Sequence, residues 1–560
     1  MAISTGKHFI TSLGTGNYEQ LYYFENDKQH YTAYAPVAVA ALKNLAGAKA
    51  SILVTQKARE KHYNQLAGEL TALGLNPQPV DIPDGISEEE IFKIFEIITA
   101  QVSEGERITL DVTFSLRHLP FVYLAALIYM VGLKQVKLEG IYYGAFELKQ
   151  DQVSPILEIT SLFRLIEWYH GLSNARQEGD FRALGRLLNG DIGRLYKQGA
   201  GDANFSKVSK LMNKLGFYLA SVLPMEVGLN SKDVSSLLKK EFQSTTGTAY
   251  AAHMAMNSLS QLLDRWKISG DDDQEIAKGY IEITEEELER QLRLAEWYIE
   301  RMNVPAALLV IREWMITRMQ FASNHINDWL GYHKRKKYEQ ILNALSERAK
   351  HGIGNAVEKE LASVWQSIAK QRNKFAHAGM LEKEVDVSAG LVKNSIKKCR
   401  ALLEKDIPAD LPYQNGDCYL ITPLGMSKGV LYTALTLVNP NKLVIITSLR
   451  AGEKIPEIME IAKFTHLEPI LINLTDPHNG FNEVKDLVDS NKALVKDLAL
   501  AGNVVANITG GTTAMQYAVD RLADEIKKLG TPVKKVALVD RRSYEEQQKN
   551  PYVCGEMVEL

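Results

Sequence analysis

Three polar residues near the end of a helix-forming segment have the types and spacing that RNA cleavage requires. In "KQRNKFAHAG", residues 370–379, Arg372 and Asn373 are followed by His377. A histidine of near-neutral pKa can take the proton from a ribose 2′-hydroxyl or give one to the leaving 5′-oxygen. An arginine matches the charge on the phosphorane oxygens, and the asparagine can orient the imidazole. This chemistry needs no metal and leaves a 2′,3′-cyclic phosphate and a 5′-hydroxyl.

The preceding residues predict the helix that must position this segment. From about Val357, apolar residues that include Leu361, Trp365 and Ile368 recur at helical spacing, and Arg372 continues their face. An unpaired guanidinium is costly there, so it should meet a partner surface or an anionic ligand. Two copies related by a two-fold axis would bring two arginines and two histidines together. The alternative is a polar helix end, where the helix dipole by itself favours a histidine.

Short apolar runs alternate with helical stretches at both ends of the chain. Strands separated by helices of this length predict mostly parallel, doubly wound sheets. The N-terminal runs are "FITSL" (9–13), "SILVT" (51–55), "PQPVDIP" (77–83), "ERITLDVT" (106–113) and "QVKLEGIYYGAF" (135–146). The C-terminal runs are "CYLIT" (418–422), "KLVIITS" (442–448), "EPILINL" (468–474), "NVVANIT" (503–509) and "VKKVALVD" (533–540).

The two ends align as one module used twice. Asp111 aligns with Asn507, and Thr113 aligns with Thr509, in the turn after the fourth strand. Between the ends, residues 150–405 show helical patterns without strands, including a capping box at Thr284. The fold class is therefore α/β plus all-α, with two doubly wound, Rossmann-like parallel-sheet domains flanking a helical domain. The predicted boundaries are 1–150, 151–408 and 409–560.

Glycine and polar turns follow the first and fourth strands of each predicted sheet. Ligands of open parallel sheets lie beyond the carboxyl ends of the strands, where such turns aim N–H groups at phosphate. "GTGNYE" lacks the third glycine of a dinucleotide fingerprint, and no P-loop motif occurs. The alternative is that these are ordinary strand–helix turns. The candidate ligand residues are Gly14, Thr15, Gly16, Asp111, Thr113, Ser115 and Arg117 in the first module, and Gly425, Met426, Ser427, Asn507, Thr509, Gly510, Gly511, Thr512 and Thr513 in the second.

Bulk composition excludes several classes of protein. The 560 residues carry a formal charge of −3, so any nucleic-acid contact must be local. The basic run "HKRKK" (333–337) is such a candidate, although a solvated helix face is the simpler interpretation. Three cysteines without ligand spacing argue against disulfides and structural zinc. With no signal peptide and no apolar run of membrane-spanning length, we expect a cytoplasmic protein without metal or cofactor.

The motifs together resemble a family of CRISPR-associated proteins. "RNKFAH" is similar to the motif of HEPN ribonuclease domains, which places Arg372, Asn373 and His377 in the catalytic set. "DVTFSLRH" resembles the Asp-x-Thr-His-Gly-x-Arg pattern of CARF sensor domains, except that Phe114 and Ser115 replace the His-Gly pair. "NITGGTTAMQYAVDRLADE" resembles a second CARF domain. Most relatives carry one CARF domain ahead of HEPN, so a CARF–HEPN–CARF order departs from the usual arrangement.

The resemblance implies an allosterically activated endoribonuclease of type III CRISPR antiviral defence. A homodimer, or a higher oligomer, would bind a cyclic oligoadenylate across paired CARF domains and then cleave single-stranded RNA. Cyclic tetra-adenylate is the first candidate activator and cyclic hexa-adenylate the second. The second CARF domain would bind the same ligand, bind another, or act as a ring nuclease that degrades the activator, with Thr509, Thr512 and Thr513 as candidate residues.

Other functions remain open at the level of the sequence. A sensor that uses the helical domain only as a dimerisation scaffold would need neither Arg372 nor His377. A transcription regulator would need a basic recognition helix, and no helix-turn-helix is apparent. A nucleotide-metabolising α/β enzyme would need the cofactor fingerprints that are missing. The sequence does not say which of the two sheet modules is regulatory.

Overall fold

The structure, a computed structural model of the chain, describes residues 6–114, 118–197, 203–241, 258–270, 276–324, 328–376, 380 and 388–560. These residues fall into two compact units. The first contains the described residues up to Ala175, and the second contains those from Leu259 onward, with the segments between divided among them. The three domains delimited at residues 150 and 408 stay a prediction.

One mainly parallel sheet forms the framework of the first unit. Its strands are β1 Lys7–Leu13, β2 Leu21–Glu25, β3 Lys28–Thr32, β4 Lys49–Val54, β5 Asn76–Asp81, β6 Arg107–Asp111, β7 Lys137–Gly144 and β8 Val153–Glu158. They lie in the order β3-β2-β8-β7-β6-β1-β4-β5. The strands from β7 to β5 in that order are parallel, whereas β8 runs antiparallel to β7.

Helices pack against both faces of this first sheet because each face is apolar. They are α1 Ala35–Leu42, α2 Gln56–Ala58, a π-helical turn Arg59–Tyr63, α3 Asn64–Ala72, α4 Glu88–Ala100, α5 Leu119–Leu133 and a 3-10 turn Phe146–Leu148. One buried cluster joins α1 and α3 to the sheet, and another joins α4 and α5 to the opposite face. Pro120 lies in the first turn of α5, a position where proline costs no helical hydrogen bond.

The central part of the chain is helical after β8. The helices are α6 Thr160–Glu178, α7 Arg182–Lys197, α8 Ala203–Ala220, α9 Pro224–Glu241, a 3-10 turn Lys278–Tyr280, α10 Glu285–Glu300, α11 Val304–Ala322, α12 Tyr332–Lys350, α13 Ala356–Ala376 and α14 Ala389–Leu403. The predicted start of α10 is confirmed, since the Thr284 hydroxyl accepts from Glu287 N at 3.1 Å, but the return bond that would complete the predicted capping box is not among its described contacts. The Glu287 carboxylate binds the buried side chains of Arg290 and Gln291.

A second sheet closes the chain. Its strands are β9 Cys418–Pro423, β10 Lys442–Thr447, β11 Ile470–Asn473, β12 Asn503–Asn507, β13 Val533–Val539 and β14 Glu556–Glu559. The order is β11-β10-β9-β12-β13-β14, with only β14 antiparallel. Its helices are α15 Lys428–Val438, α16 Leu449–Gly452, α17 Ile455–Ile461, α18 Phe481–Lys485, α19 Leu487–Ser490, α20 Lys492–Ala499, α21 Thr513–Lys528 and α22 Tyr544–Lys549.

The two sheets share one topology. Counted along the chain, the five parallel strands of each lie in the order third, second, first, fourth, fifth. The predicted α/β and helical fold is confirmed at this level. The absence of strands after residue 150 was wrong for β8, and β2, β3 and β14 were not predicted. These four are edge or antiparallel additions whose apolar alternation is weak, as in "EMVE" of β14.

Candidate functional site

A buried polar cluster joins three strands at the carboxyl end of the first sheet. The Thr11 hydroxyl of β1 donates to Asp111 Oδ2 at 2.7 Å, and the Thr113 hydroxyl donates to Asp111 Oδ1. Gly144 N, at the end of β7, donates to Thr113 Oγ1 at 2.8 Å. Burial raises the pKa of the Asp111 carboxyl to about 6, against the opposing effect of these hydrogen bonds. The predicted ligand residues Asp111 and Thr113 therefore hold the ends of the strands together at the carboxyl edge of the sheet.

Side chains of the protein itself bind the backbone of the glycine turn after β1. Gly14 N donates to the Tyr18 hydroxyl at 2.9 Å, and Lys61 Nζ donates to the Thr15 carbonyl at 2.9 Å. The His62 Nε2 atom lies 2.8 Å from the Gly16 carbonyl oxygen. The structure thus brings Gly14, Thr15 and Gly16 together in one turn, but the Gly14 N–H already donates to a side chain of the protein.

An aromatic side chain from the turn after β6 covers this glycine turn. The Phe114 and Tyr18 ring centroids lie 4.3 Å apart, and the His62 ring also packs against Tyr18, at 4.6 Å. Phe114 is one of the two residues that depart from the resembled motif, and this departure has a packing role in the chain. The predicted ligand residues Ser115 and Arg117 lie outside the described residues.

The second sheet repeats the buried cluster with an amide in place of the carboxyl. Asn507 Nδ2 donates to the Thr422 hydroxyl at 2.8 Å, and Thr509 N donates to Asn507 Oδ1 at 2.9 Å. Leu538 N donates to Thr509 Oγ1 at 2.8 Å. The predicted alignment of the two modules is confirmed, because the hydrogen bonds pair Asp111 with Thr11 and Asn507 with Thr422, one residue beyond matching strand registers.

The two turns at the carboxyl edge of the second sheet approach each other closely. A Cβ on Gly425 would lie 2.8 Å from the Gly511 Cα, so only glycine fits there. Gly510 and Gly511 have φ of 94° and 68°, the region that glycine adopts without strain. Thr512 then caps α21, where its hydroxyl accepts from Met515 N at 3.4 Å. The cap leaves Thr513 exposed in the first turn of the helix.

A cavity of about 640 Å³ lies at the carboxyl ends of β9, β10, β11 and β12. Four of the predicted residues line it: Gly425, Met426, Gly511 and Thr512. Ser427 instead lines a smaller cavity beside Asp540 and Arg542. Residues that the sequence interpretation missed are Ser448, Arg450, Asn473, Thr475 and His478. They follow the second and third strands, so tracing every strand end, rather than two, would have found them.

Two of the missed residues give the cavity its chemistry. Arg450 and His478 are both exposed, and within the described part of the chain no hydrogen bond or ion pair holds the guanidinium or the imidazole. A guanidinium, an imidazole and a helix N-terminus together suit an anionic ligand such as phosphate. The Asp476 carboxylate accepts from the His478 and Asn479 backbone amides, which lower its pKa, and this fixes the loop that carries the imidazole.

Arg372 and Asn373 lie on the last turn of α13. The helix is anchored by buried Leu361, Trp365 and Ile368, as the apolar spacing predicted. The Arg372 side chain is half-buried and Asn373 is exposed, and among the described residues no hydrogen bond or ion pair engages the guanidinium. His377 lies outside the described residues, so the geometry of the predicted triad is defined only for its first two members.

The two sheets and the helices define an α/β and α protein with a polar cavity at the carboxyl edge of a doubly wound sheet. No family model matches the chain. It is similar to CRISPR-associated protein MJ1674 of Methanocaldococcus jannaschii, with 20% identity over 375 residues that cover 66% of this chain and 52% of that one. The chain therefore spans about half the length of this curated relative. The similarity confirms the resemblance to CRISPR-associated proteins.

A solved structure also matches over most of the chain. It is a type III CRISPR defence DNA nuclease activated by cyclic oligoadenylate, 11% identical, covering 95% of this chain and 65% of that one with a TM-score of 0.18. A likeness with so low a TM-score does not bear on the fold or function of this protein. In the part of the chain that the structure describes, no helix has the length and apolar character needed to cross a bilayer.

Proposed function

We propose that this protein is a cyclic-oligoadenylate-activated, metal-independent endoribonuclease of type III CRISPR defence. The helical part is a HEPN domain with Arg372, Asn373 and His377 as its catalytic residues. The sheets are CARF domains, and the activator is cyclic tetra-adenylate ahead of cyclic hexa-adenylate. Similarity to a CRISPR-associated protein supports the setting, and the RNKFAH segment supports the chemistry.

The half-buried guanidinium of Arg372, which none of the described residues engages, carries the proposal. It continues the apolar face of α13 beyond Ile368, so a charge is partly buried where no described residue offers it a hydrogen bond or an ion pair. A scaffold gains nothing from that arrangement, whereas a site for a phosphodiester does. The guanidinium would stabilise the pentacoordinate phosphate, Asn373 would orient His377, and the imidazole would move the proton between ribose and leaving group.

A homodimer supplies the second half of such a site. The outer face of α5 supports self-association, because Phe121 and Leu133 are 76% and 71% exposed and Ile128 and Tyr129 lie between them. None of the helix's 15 residues is charged. An uncharged apolar stripe on one helix is complementary to its own two-fold copy.

Activator degradation has a narrower set of candidates than the sequence suggested. Thr509 is engaged through its hydroxyl with Leu538 N and lies behind the sheet edge, so it is poorly placed as a nucleophile. Thr512 lines the cavity of the second sheet, but its hydroxyl donates to the Pro477 carbonyl and accepts from Met515 N. Thr513 is exposed beside it. Any ring-nuclease activity is therefore expected to depend on the 512–513 segment.

RNA cleavage with and without cyclic tetra- and hexa-adenylate tests the proposal. Single-stranded RNA is expected to be cut in EDTA to 2′,3′-cyclic phosphate ends, and DNA of the same sequence should stay intact because it lacks the 2′-hydroxyl. His377→Ala and Arg372→Ala should each lower the rate by about a hundredfold or more. Lys370→Ala, an exposed change on the same helix, is the matched control.

Two outcomes would contradict the proposal. Full cleavage by His377→Ala removes the catalytic assignment. Tight binding of a cyclic oligoadenylate by a wild-type protein that cuts no RNA would favour the sensor and scaffold function instead.

A further inference from the structure

A buried arginine joins the helices to the second sheet. Arg348, on α12, is fully buried, and its guanidinium donates to three backbone carbonyls. Nε donates to Leu529 O at 2.7 Å and Nη1 to Tyr413 O at 2.8 Å, while Nη2 donates to Ala499 O. These carbonyls precede β13, β9 and β12, so one side chain holds the amino edge of the second sheet at three of its strands.

The same arginine reaches the start of the helix that carries the candidate catalytic residues. Glu358, in the first turn of α13, lies 3.9 Å from the Arg348 guanidinium. Its carboxylate also accepts from Tyr413 N at 2.8 Å and from Asn355 N at 2.9 Å. Asn355 in turn accepts from Glu358 N, so α13 begins with a reciprocal cap that is tied to the second sheet.

Two stiff helices extend from this junction to the two sites. Helix α21 begins at the cavity, which Thr512 and Met515 line. It ends at Lys528, and the carbonyl of its C-cap residue, Leu529, accepts from Arg348. At 1.5 Å per residue it spans roughly 24 Å. In helix α13, the stretch from Glu358 to Arg372 is roughly 21 Å long. Between the helices, Gly530 approaches Ala344 of α12 so closely that a Cβ would lie 2.8 Å from it.

The first sheet differs from the second at the carboxyl ends of its strands. Its Gly14 amide is committed to Tyr18, and Phe114 packs over that ring. In the second sheet the corresponding edge opens onto the cavity, which Arg450 and His478 line with exposed side chains. The second sheet and helices α10–α14 also belong to one compact unit, so its ligand edge and the last turn of α13 share one packed framework.

We propose that the second sheet is the regulatory one: an anionic ligand held by Arg450 and His478 controls the RNKFAH segment through α21 and the Arg348–Glu358 junction. This inference rests on the proposed function for its output, but not for its binding site. Ligand phosphate at the N-terminus of α21 shifts the helix, and Arg348 passes that shift to the cap of α13. Arg348 and Glu358 are positioning residues, which touch neither ligand nor RNA.

The test separates binding, coupling and catalysis in the full-length protein. Binding of cyclic tetra- and hexa-adenylate is measured by calorimetry, and stimulation is the ratio of RNA cleavage rates with and without ligand. Hydrogen exchange of residues 356–376 reports the response of α13 without requiring cleavage. The coupling variants are Arg348→Lys and the nearly isosteric Glu358→Gln. The site variants are Arg450→Ala in the second sheet and Arg117→Ala in the first.

Distinct losses are expected from each class of variant. Arg450→Ala should weaken ligand binding about tenfold or more, whereas Arg117→Ala should leave stimulation within about twofold of wild type. Arg348→Lys and Glu358→Gln should bind ligand within about twofold, retain cleavage without ligand, and lose about tenfold or more of the stimulation. The exchange response of α13 should disappear in the same two variants. If Arg348→Lys does not fold, Glu358→Gln decides.

Three results would overturn the inference. One is full stimulation in both coupling variants, and another is a parallel loss of binding and stimulation in them. The third is loss of stimulation in Arg117→Ala while Arg450→Ala behaves as wild type. If the wild type cuts no RNA, the ribonuclease proposal fails alone, because a ligand-dependent exchange response of α13 that requires Arg348 still supports the coupling, and its absence contradicts it.

Discussion

The fourth parallel strand ends in a buried side chain in both sheets, but that side chain is Asp111 in the first and Asn507 in the second. Each receives or makes a hydrogen bond with a threonine of the first strand, and each is followed two residues later by a threonine that accepts from the fifth strand. The geometry is the same while the charge differs. Only the first sheet carries a group at this point that titrates near neutral pH.

The turns that follow the fourth parallel strands also differ between the two sheets. Position for position, Phe114 of the first sheet corresponds to Gly510 of the second. Phe114 packs on Tyr18 beside the glycine turn, whereas Gly510 adopts φ of 94° and leads into Gly511, which lines the cavity. The second sheet therefore combines a cavity at its carboxyl edge with an uncharged buried amide. The first sheet combines an aromatic-packed turn with a buried carboxyl that titrates.

The largest effect is expected when the carboxyl is transferred to the second sheet. Asn507→Asp keeps the shape but removes both Nδ2 donations, to Thr422 Oγ1 and to the Thr509 carbonyl, and buries a charge. At pH 8 we expect a loss of about 3 kcal/mol in the free energy of unfolding of the second unit. Because burial raises the pKa of the new acid, protonation at pH 5 should recover part of that loss.

Urea denaturation at pH 5 and pH 8, followed by circular dichroism, measures this change, and hydrogen exchange of β12 locates it. Asn503→Asp is the matched control, since Asn503 is half-buried at the other end of the same strand. A variant as stable as wild type at pH 8 would show that the second cluster accepts charge, and the comparison between the sheets would lose its basis.

A smaller loss is expected from adding a methyl group at the open turn. In Gly510→Ala the new Cβ would lie 2.9 Å from Val430 Cγ1 at a backbone angle that L residues rarely adopt. We expect the unfolding free energy to fall by about 2 kcal/mol. Gly416→Ala is the control, because a Cβ there meets no atom within 4 Å. Equal urea midpoints for the two variants would mean that the turn relaxes without cost.

Much of this comparison could be predicted from the sequence, because it depends on local patterns. The ten apolar runs marked the ten parallel strands, and the spacing of Asp111 to Thr113 and of Asn507 to Thr509 gave the alignment that the registers confirm. Short polar edge strands such as β3 "KQHYT" escaped detection because their pairing, rather than their composition, makes them strands.

The long-range side-chain contacts at the edges of the two sheets could not be predicted in the same way. Tyr18 contacts Phe114 across almost a hundred residues, and Arg348 donates to carbonyls at two helix ends and in a loop, ahead of three different strands. Arg450 and His478 converge only because β10 and β11 are neighbours in the sheet. No periodicity in the sequence records such contacts, since topology alone brings these side chains together.

Replacing the carboxyl of the first sheet should stabilise it. The pKa of Asp111 is about 6 in the folded protein against 3.8 in the unfolded chain, so the folded state binds more protons between those values. Stability from this group therefore falls as the pH rises through that window and stays low above it. Asp111→Asn removes the dependence, and we expect a gain of about 1–2 kcal/mol at pH 7 that vanishes near pH 4.

Urea midpoints of the wild type and Asp111→Asn between pH 4 and pH 8 check this expectation, with hydrogen exchange of β6 as the local reporter. A gain of equal size at every pH would contradict the titration of Asp111, because the difference would then come from hydrogen bonding alone.

The smallest effect is expected from opening the filled turn of the first sheet. Tyr18→Phe keeps the stacking with Phe114 but removes the hydroxyl that accepts from Gly14 N. We expect a loss of about 1 kcal/mol and faster exchange of the Gly14 amide. Tyr31→Phe, whose ring is 53% exposed, should change neither quantity. If the Gly14 amide exchanges equally fast in wild type and Tyr18→Phe, the hydroxyl does not close the turn; an edge that was open all along would make the first sheet an equal candidate for the ligand.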